Sequence, residues 1–227
     1  MNDMIRPFVL FGACLLIPSA LEIYALKSAA SELESAPEAT QNVVTASPSE
    51  DNYCTPELKR ILRRVAGACG LLAGAGRGCQ PADAKAVAQL SGEDFNKLFL
   101  PLSERARIIQ FDSESSTLDA GAQKMVEEAW GEQRGASFFF AVARASPDGG
   151  EEMNQALSAA RAEAVLTHLE TRFQDPELKQ EVGLLWLGEE YAQLPDTFCD
   201  WTRSREGDCN TKDVNRSTLI TWIDCSI

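Results

Sequence analysis

Apolar and polar positions follow one another along the second half of the chain in a pattern that predicts four strands and two helices. Short apolar runs predict strands over residues 107–112, 137–146, 181–188 and 218–225. Helical spacing of apolar residues predicts helices over residues 119–132 and 151–173. The resulting βαβαββ order indicates an α+β fold in which a mixed sheet carries two packed helices.

The residues ahead of this region predict a smaller helical segment that carries cysteines. Thr55 is a suitable N-cap for its first helix, because Pro56 follows at the first helical position. A glycine-rich stretch from residue 70 to 78 ends that helix. Further helices are expected over residues 81–90 and 93–98.

The N-terminal residues carry no globular pattern. Residues 1–30 combine a basic start, an apolar run and small residues, which is typical of a cleaved signal peptide, of an uncleaved membrane anchor or, through Cys14, of a lipoprotein signal. Residues 31–52 are rich in Ser, Ala, Glu, Pro and Thr and are expected to form a flexible linker. A helical preface, residues 53–104, and a main domain, residues 105–227, complete the chain. All three interpretations of the first segment imply export.

Charge and cysteine content narrow the function. The formal net charge of -13 argues against binding to nucleic acid or to anionic lipid. Six cysteines follow the first segment and indicate disulfides in an exported protein. They form two groups of three, so at least one bridge joins the groups if all six pair. Zinc is the competing interpretation, but no CxxC pair exists, and the one histidine, His168, is far from any cysteine in sequence.

One face of the long predicted helix carries a candidate site. Asn154, Arg161 and His168 share this face with apolar residues, so the guanidinium of Arg161 is expected to be partly buried. A buried arginine keeps its charge and needs an anion. That anion is either an Asp or Glu of the chain or the carboxylate of a ligand. His168 is expected to be a packing or surface residue, because no nucleophile accompanies it.

The same helix carries a motif that resembles a known family. Residues 154–169 match the pattern N-x-x-L-S-x-x-R-A-x-x-V-x-x-x-L of OmpA-like C-terminal domains. Residues 107–118 resemble the family's opening strand, Gly188-Glu189 its G-x-G-E step, and Asn215-Arg216 the start of its N-R-R ending. The resemblance covers about residues 105 to 227.

The resemblance implies a non-enzymatic module, without catalytic residues, metal or cofactor, that binds the diaminopimelate-type stem peptide of peptidoglycan. In the family, the arginine that matches Arg161 binds the ligand carboxylate, and the asparagine that matches Asn154 helps to shape the site. The family's G-x-T-D loop corresponds to residues 143–146, Ala-Arg-Ala-Ser, so its ligand-binding aspartate is absent here. The expected ligand-binding set is Arg161, Asn154, Ser146 and Asp148, with Asp148 as the replacement carboxylate.

Two functions follow from the resemblance. The first is an envelope protein, in the periplasm or at the outer membrane of a Gram-negative bacterium, that tethers a membrane or a complex to the cell wall. The second is a protein-interaction scaffold in an envelope assembly, in which Arg144 alters the charge of a degenerate loop and Arg161 forms an internal ion pair. A stator-like role needs an acidic residue well inside a membrane segment, whereas Glu22 lies near the end of the apolar run. Cys199 and Cys209 resemble a disulfide of some family members and are the expected pair.

Overall fold

The computed structural model describes the chain over residues 53–68, 81–83, 90–132, 138–175 and 178–225. The predicted signal segment and linker lie outside these residues, as do Cys69 and Cys79. In the part of the chain that is described, no helix is long and apolar enough to cross a membrane.

The described residues contain a mixed sheet of five strands. In chain order these are β1 (Ala82–Asp83), β2 (Arg107–Gln110), β3 (Phe138–Ala143), β4 (Val182–Trp186) and β5 (Ser217–Ile223). Across the sheet the order is β1-β4-β3-β5-β2. β3 pairs in parallel with β4 and antiparallel with β5, and β2 pairs antiparallel with β5. All four predicted strands are present, so the predicted α+β fold with a mixed sheet is confirmed.

Six helices accompany the sheet in the described residues: α1 (Pro56–Ala68), α2 (Gly92–Lys97), α3 (Ala120–Glu132), α4 (Glu151–Phe173), α5 (Leu178–Glu181) and α6 (Thr211–Asn215). α3 and α4 are the two helices predicted for the main domain, and both contact the sheet and each other. Thr55 caps α1 as predicted, because its Oγ1 accepts a hydrogen bond from the backbone N–H of Leu58 at 3.2 Å.

The two faces of β3 show how the preface and the main domain share one core. On one face Phe139 packs against Trp130 of α3, with ring centroids 5.4 Å apart. On the other face Phe140 stacks on Phe99, just after α2, with ring centroids 6.1 Å apart. Neighbouring residues of a strand point to opposite faces, so the preface covers the face opposite α3. Every residue of β3 is buried, as its unbroken apolar run predicts.

The prediction of a helix over residues 81–90 is wrong at the start of that range. Ala82 and Asp83 form β1, an edge strand that pairs in parallel with β4. The indole N–H of Trp186 donates to the carbonyl of Pro81 at 3.0 Å and holds this segment extended against β4. A two-residue strand is too short to produce an apolar periodicity. Residues 84–89 lie outside the described residues.

Two disulfides close the described part of the chain. Cys199 pairs with Cys209, which confirms the expected bridge. Cys54 pairs with Cys225 across 171 residues of sequence and joins the two groups of cysteines. These four cysteines are oxidised, so the zinc interpretation does not apply to them. The second bridge also fixes the start of the preface to the end of β5.

Candidate functional site

Several segments of the main domain meet at a small cavity of about 60 Å³ at one end of the sheet. β2 and β3 both run antiparallel to β5, so the C-terminal ends of the first two strands lie beside the start of β5. The cavity is lined by residues from the loops after β2 and β3, from α4 and from the step before β5: Ser113, Glu114, Ser146, Asp148, Met153, Asn154, Leu157, Arg161 and Arg216. All four predicted ligand-binding residues are therefore brought together.

Arg161 contributes a buried positive charge to this cavity, since only 1% of its surface is exposed. Its guanidinium donates to three backbone carbonyls, those of Ser115 at 2.9 Å, Arg144 at 2.9 Å and Asp112 at 3.1 Å. No carboxylate of the described residues forms an ion pair with it. Burial, and secondly the charge of Arg216, lower the pKa of Arg161 to about 10, so the group stays protonated at neutral pH.

The internal ion pair considered for Arg161 is therefore absent from the described residues, and the carboxylate of Asp148 in the same cavity has other partners. The Oδ1 atom of Asp148 accepts a hydrogen bond from Nζ of Lys212 at 2.7 Å. Its Oδ2 atom accepts from Nη2 of Arg216 at 2.9 Å and from the hydroxyl of Ser146 at 3.0 Å. Of the two carboxylates that line the cavity, those of Glu114 and Asp148, the second is thus engaged by other donors. We call Asp148, Ser146, Lys212 and Arg216 the Asp148 cluster.

The Asp148 cluster keeps its carboxylate ionised. Hydrogen bonds from Lys212, Arg216 and Ser146, in that order, lower the pKa of Asp148 to about 2. Arg216 is held twice, because its Nε also donates to the hydroxyl of Ser146 at 3.1 Å. Two cations thus share one carboxylate at the edge of the cavity.

Asn154 ties the loop after β3 to the segment after β4. Its side-chain amide donates to the backbone carbonyl of Asp148 at 3.3 Å and to the carboxylate of Glu189. One turn further along α4, the hydroxyl of Ser158 accepts the backbone N–H of Gly188 at 3.0 Å. These contacts give Asn154 and Ser158, two residues of the family motif, a positioning role around the cavity.

The side chain of Arg144 points away from this cavity. It is fully buried, and its guanidinium donates to the carbonyl of Ala192 at 2.8 Å and to the Oδ1 atom of Asn96 at 2.9 Å. Burial lowers the pKa of Arg144 to about 9. The expectation that Arg144 changes the charge of the ligand loop is therefore wrong, because its guanidinium joins the main domain to α2 of the preface. Only its backbone carbonyl reaches the site, as an acceptor for Arg161.

Two residues of the site, Arg216 and Lys212, were not predicted from the sequence as site residues. Arg216 lies at the start of the family's N-R-R ending, so a signal for it exists in the resemblance. Asn215 beside it is buried and accepts the backbone N–H of Leu194 at 2.8 Å, which fixes the step into β5. Lys212 reaches Asp148 across 64 residues of sequence, and no spacing pattern indicates that contact.

The remaining candidates do not form a second site of this kind. Nε2 of His168 lies 3.1 Å from Oε1 of Glu127, on the side of α4 that faces α3, in agreement with the packing or surface role expected for it. Within the described ranges, no group of His, Cys, Asp and Glu residues is placed to hold a metal ion.

The arrangement around Arg161 defines a class of site. A buried guanidinium without an acidic partner in the described residues lines a cavity, beside a loop held in place by its own ion pairs. Guanidinium groups bind carboxylates through two parallel hydrogen bonds, and such charge-assisted bonds are about twice as strong as neutral ones. The cavity is suited to a small carboxylate group.

Comparisons with known proteins found similarity among solved structures only. No family model matches the chain, and no curated protein matches it in sequence. In structure it is similar to the peptidoglycan-associated lipoprotein from Burkholderia pseudomallei, with 19% identity and a TM-score of 0.40, over 54% of this chain and 92% of the other.

Two further solved structures are similar to the chain. The OmpA-like domain of FopA1 from Francisella tularensis has 17% identity and a TM-score of 0.36, over 52% of this chain and 74% of the other. The cell wall anchor of the T6SS from Pseudomonas aeruginosa has 14% identity and a TM-score of 0.36, over 64% of this chain and 99% of the other. At these values the likeness carries nothing about ligands, and the fold rests on the strand order and helices of this chain itself.

Proposed function

We propose that the protein is a non-enzymatic envelope protein that binds the diaminopimelate-type stem peptide of peptidoglycan through the cavity around Arg161. In the periplasm of a Gram-negative bacterium it would tether a membrane or a complex to the cell wall. The observation that supports this most directly is the buried guanidinium of Arg161, which has no carboxylate partner among the described residues. A ligand carboxylate supplies the missing anion.

The other predicted residues have distinct parts in this proposal. Asn154 and Ser146 hold the loop that carries Asp148, through the hydrogen bonds from Asn154 to the Asp148 carbonyl and between the Ser146 and Asp148 side chains. Asp148 is a carboxylate at the edge of the same cavity, in the part of the chain where the family has its ligand-binding aspartate. In sequence it lies two residues after Ser146, the residue that matches that aspartate.

Sedimentation with purified diaminopimelate-type peptidoglycan tests the proposal. The full chain in detergent should pellet with the sacculi, and an Arg161→Met variant should remain in the supernatant. Arg144→Met is a matched control, because Arg144 is equally buried and also donates to backbone carbonyls, but does not line the cavity. Thermal unfolding of both variants is measured first, and sedimentation is compared at a temperature at which both are folded. A parent chain that stays in solution, or an Arg161→Met variant that still pellets, contradicts the proposal.

A second candidate function is a protein-interaction scaffold that does not bind peptidoglycan. It is favoured by a larger cavity of about 410 Å³ between α2 and the residues around 192–198, beside which the side chain of Leu100 is half exposed. Under this alternative the parent chain does not pellet, and a Leu100→Glu variant loses envelope proteins that co-purify with the parent. Pelleting by the parent together with unchanged co-purification by the variant excludes it.

A further inference from the structure

We propose that Lys212 takes the place of a ligand ammonium on Asp148, so that the cavity recognises its ligand through a carboxylate and not through an amine. This inference rests on the proposed function, since it concerns the same cavity. It makes Lys212, on α6, a residue that determines specificity. The juxtaposition that carries it is the Nζ atom of Lys212 at 2.7 Å from Oδ1 of Asp148, at the edge of the cavity that Arg161 lines.

The charges around Asp148 explain why this carboxylate does not engage the ligand amine. The free end of a diaminopimelate residue carries a carboxylate and an ammonium on the same carbon atom. Arg161 has no anionic partner among the described residues, and its three hydrogen bonds to carbonyls leave two of its five N–H donors for a carboxylate. Asp148, by contrast, already carries Lys212 and Arg216 on its two oxygens. A ligand amine would be the third positive group on this one carboxylate, and like charges at this range repel.

Of the two cations on Asp148, Lys212 is the one that a ligand could displace. Arg216 is only 23% exposed in its side chain, and its second hydrogen bond to Ser146 holds it in place. The side chain of Lys212 is 57% exposed and reaches Asp148 through one hydrogen bond from a flexible stem. Its ammonium also has the same chemistry as the amine of the ligand. The two therefore compete for the Oδ1 atom of Asp148.

The size of the effect follows from what an exposed ion pair contributes. Such pairs stabilise by amounts that correspond to at most about a fivefold change in an equilibrium constant. Removal of the Lys212 ammonium should therefore let the ligand amine contribute about two- to fivefold to affinity. The carboxylate contact with Arg161 is the same with or without Lys212. The role of Lys212 is therefore tested by the ratio of the affinities for a ligand with a free amine and one without.

Isothermal titration of two peptides separates these contributions. The first is the stem tripeptide L-alanyl-γ-D-glutamyl-meso-diaminopimelate, and the second is the same peptide with the free amine of its diaminopimelate residue acetylated. The full parent chain should bind both equally, within about twofold, and Lys212→Met should prefer the free amine by about two- to fivefold. Lys124→Met is the matched control, because Lys124 is also an exposed lysine in an ion pair, with Glu128, and does not line the cavity. It should behave as the parent.

A second substitution shows which group reads the amine. Asp148→Asn, introduced into the Lys212→Met chain, should remove the preference for the free amine, and a preference that persists overturns the inference. It is also overturned if the parent already prefers the free amine as strongly as Lys212→Met does, or if Lys212→Met binds both peptides equally. Failure of the proposed function has another signature, in which none of the proteins binds either peptide, and the inference then fails with it.

Discussion

Two arginines, Arg144 and Arg161, are buried in this domain and are satisfied mainly by backbone carbonyls. A guanidinium presents five N–H donors in a fixed plane and keeps its charge at neutral pH, so it can join several loops at once. Arg144 joins the main domain to the preface, whereas Arg161 joins the loops after β2 and β3. Of these two, Arg161 is the one that lines the cavity at the end of the sheet, so it is the one that can offer its charge to a ligand there.

At the residue scale, the Asp148 cluster predicts a dependence of stability on pH. The pKa of Asp148 is about 2 in the folded chain and about 4 in an unfolded one, so its ionised form stabilises the fold. This stabilisation is complete above about pH 4 and is lost as the pH falls towards 2. Asp148→Asn should therefore have a lower free energy of unfolding than the parent at pH 6, and the difference should close between pH 4 and 2.

Urea unfolding of both proteins at a series of pH values measures this difference. The exposed residue Asp208 offers a control, since Asp208→Asn should follow the parent at every pH. A difference between Asp148→Asn and the parent that stays constant down to about pH 2 would show that the ion pairs with Lys212 and Arg216 do not stabilise the fold.

The sequence predicts the position of Arg161 better than its partners. Helical spacing places it on the inner face of α4, because that face repeats over several turns. Its acceptors come from loops 17 to 49 residues away, and no local pattern reports such distances. The same holds for Lys212 on Asp148. Asp148 could therefore be proposed from the sequence as a ligand-binding residue, but its contacts with Lys212 and Arg216 could not.

At the scale of elements, Ser158 of the helix motif fixes α4 to the end of β4. The hydroxyl of Ser158 donates to the carbonyl of Gln155 at 2.9 Å and accepts the buried N–H of Gly188 at 3.0 Å. Ser158→Ala leaves that N–H without a partner, so it should lower the free energy of unfolding by about 1–3 kcal/mol. Denaturant titration measures the change.

Thr171 provides the comparison on the same helix. Its hydroxyl also donates to a backbone carbonyl, that of Thr167 at 2.8 Å, but it is exposed to solvent. Thr171→Ala should change the free energy of unfolding by less than about 0.5 kcal/mol, as is usual for surface substitutions. Equal losses from both variants would mean that the contact with Gly188 does not hold α4 to β4.

Elements with a long periodic pattern were predicted to their ends, and short ones were not. α4 spans Glu151–Phe173, the range its apolar spacing indicates. β1 was missed because its two residues pair at the edge of the sheet and owe their conformation to β4 and Trp186. Two preface helices, α1 and α2, were predicted, but their place on the second face of β3 depends on contacts such as that of Phe99 with Phe140.

At the scale of the whole molecule, the two described disulfides should differ in what they contribute. Cys54 and Cys225 are 171 residues apart, whereas Cys199 and Cys209 are 10 apart. In the loop-closure account, these separations correspond to a restriction of the unfolded chain worth about 5 and about 3 kcal/mol. The double Cys→Ser variant of the first pair should therefore have the lower free energy of unfolding.

Chemical denaturation without reductant compares the two double variants with the parent. Each retains the other bridge, so every variant serves as the control for the other. A larger loss from the pair at 199 and 209 than from the pair at 54 and 225 would contradict the prediction. It would mean that the short bridge acts mainly on the native loop that carries Arg205 onto Asp119, where their side chains pair at 2.8 Å.

The bridge between Cys54 and Cys225 also sets the path that a pull on the chain ahead of residue 53 would take through the domain. Tension on the chain ahead of residue 53 passes at Cys54 through a covalent bond into Cys225, just beyond β5. β5 lies inside the sheet between β3 and β2, and it leads back to Arg216 in the wall of the cavity. About 30 Å of chain, most of it β5, separates the point where the load enters from the cavity. A force between Cys225 and the cavity is therefore carried along β5. The neighbouring strands β3 and β2 resist this force in shear, and the force bypasses the helices of the preface.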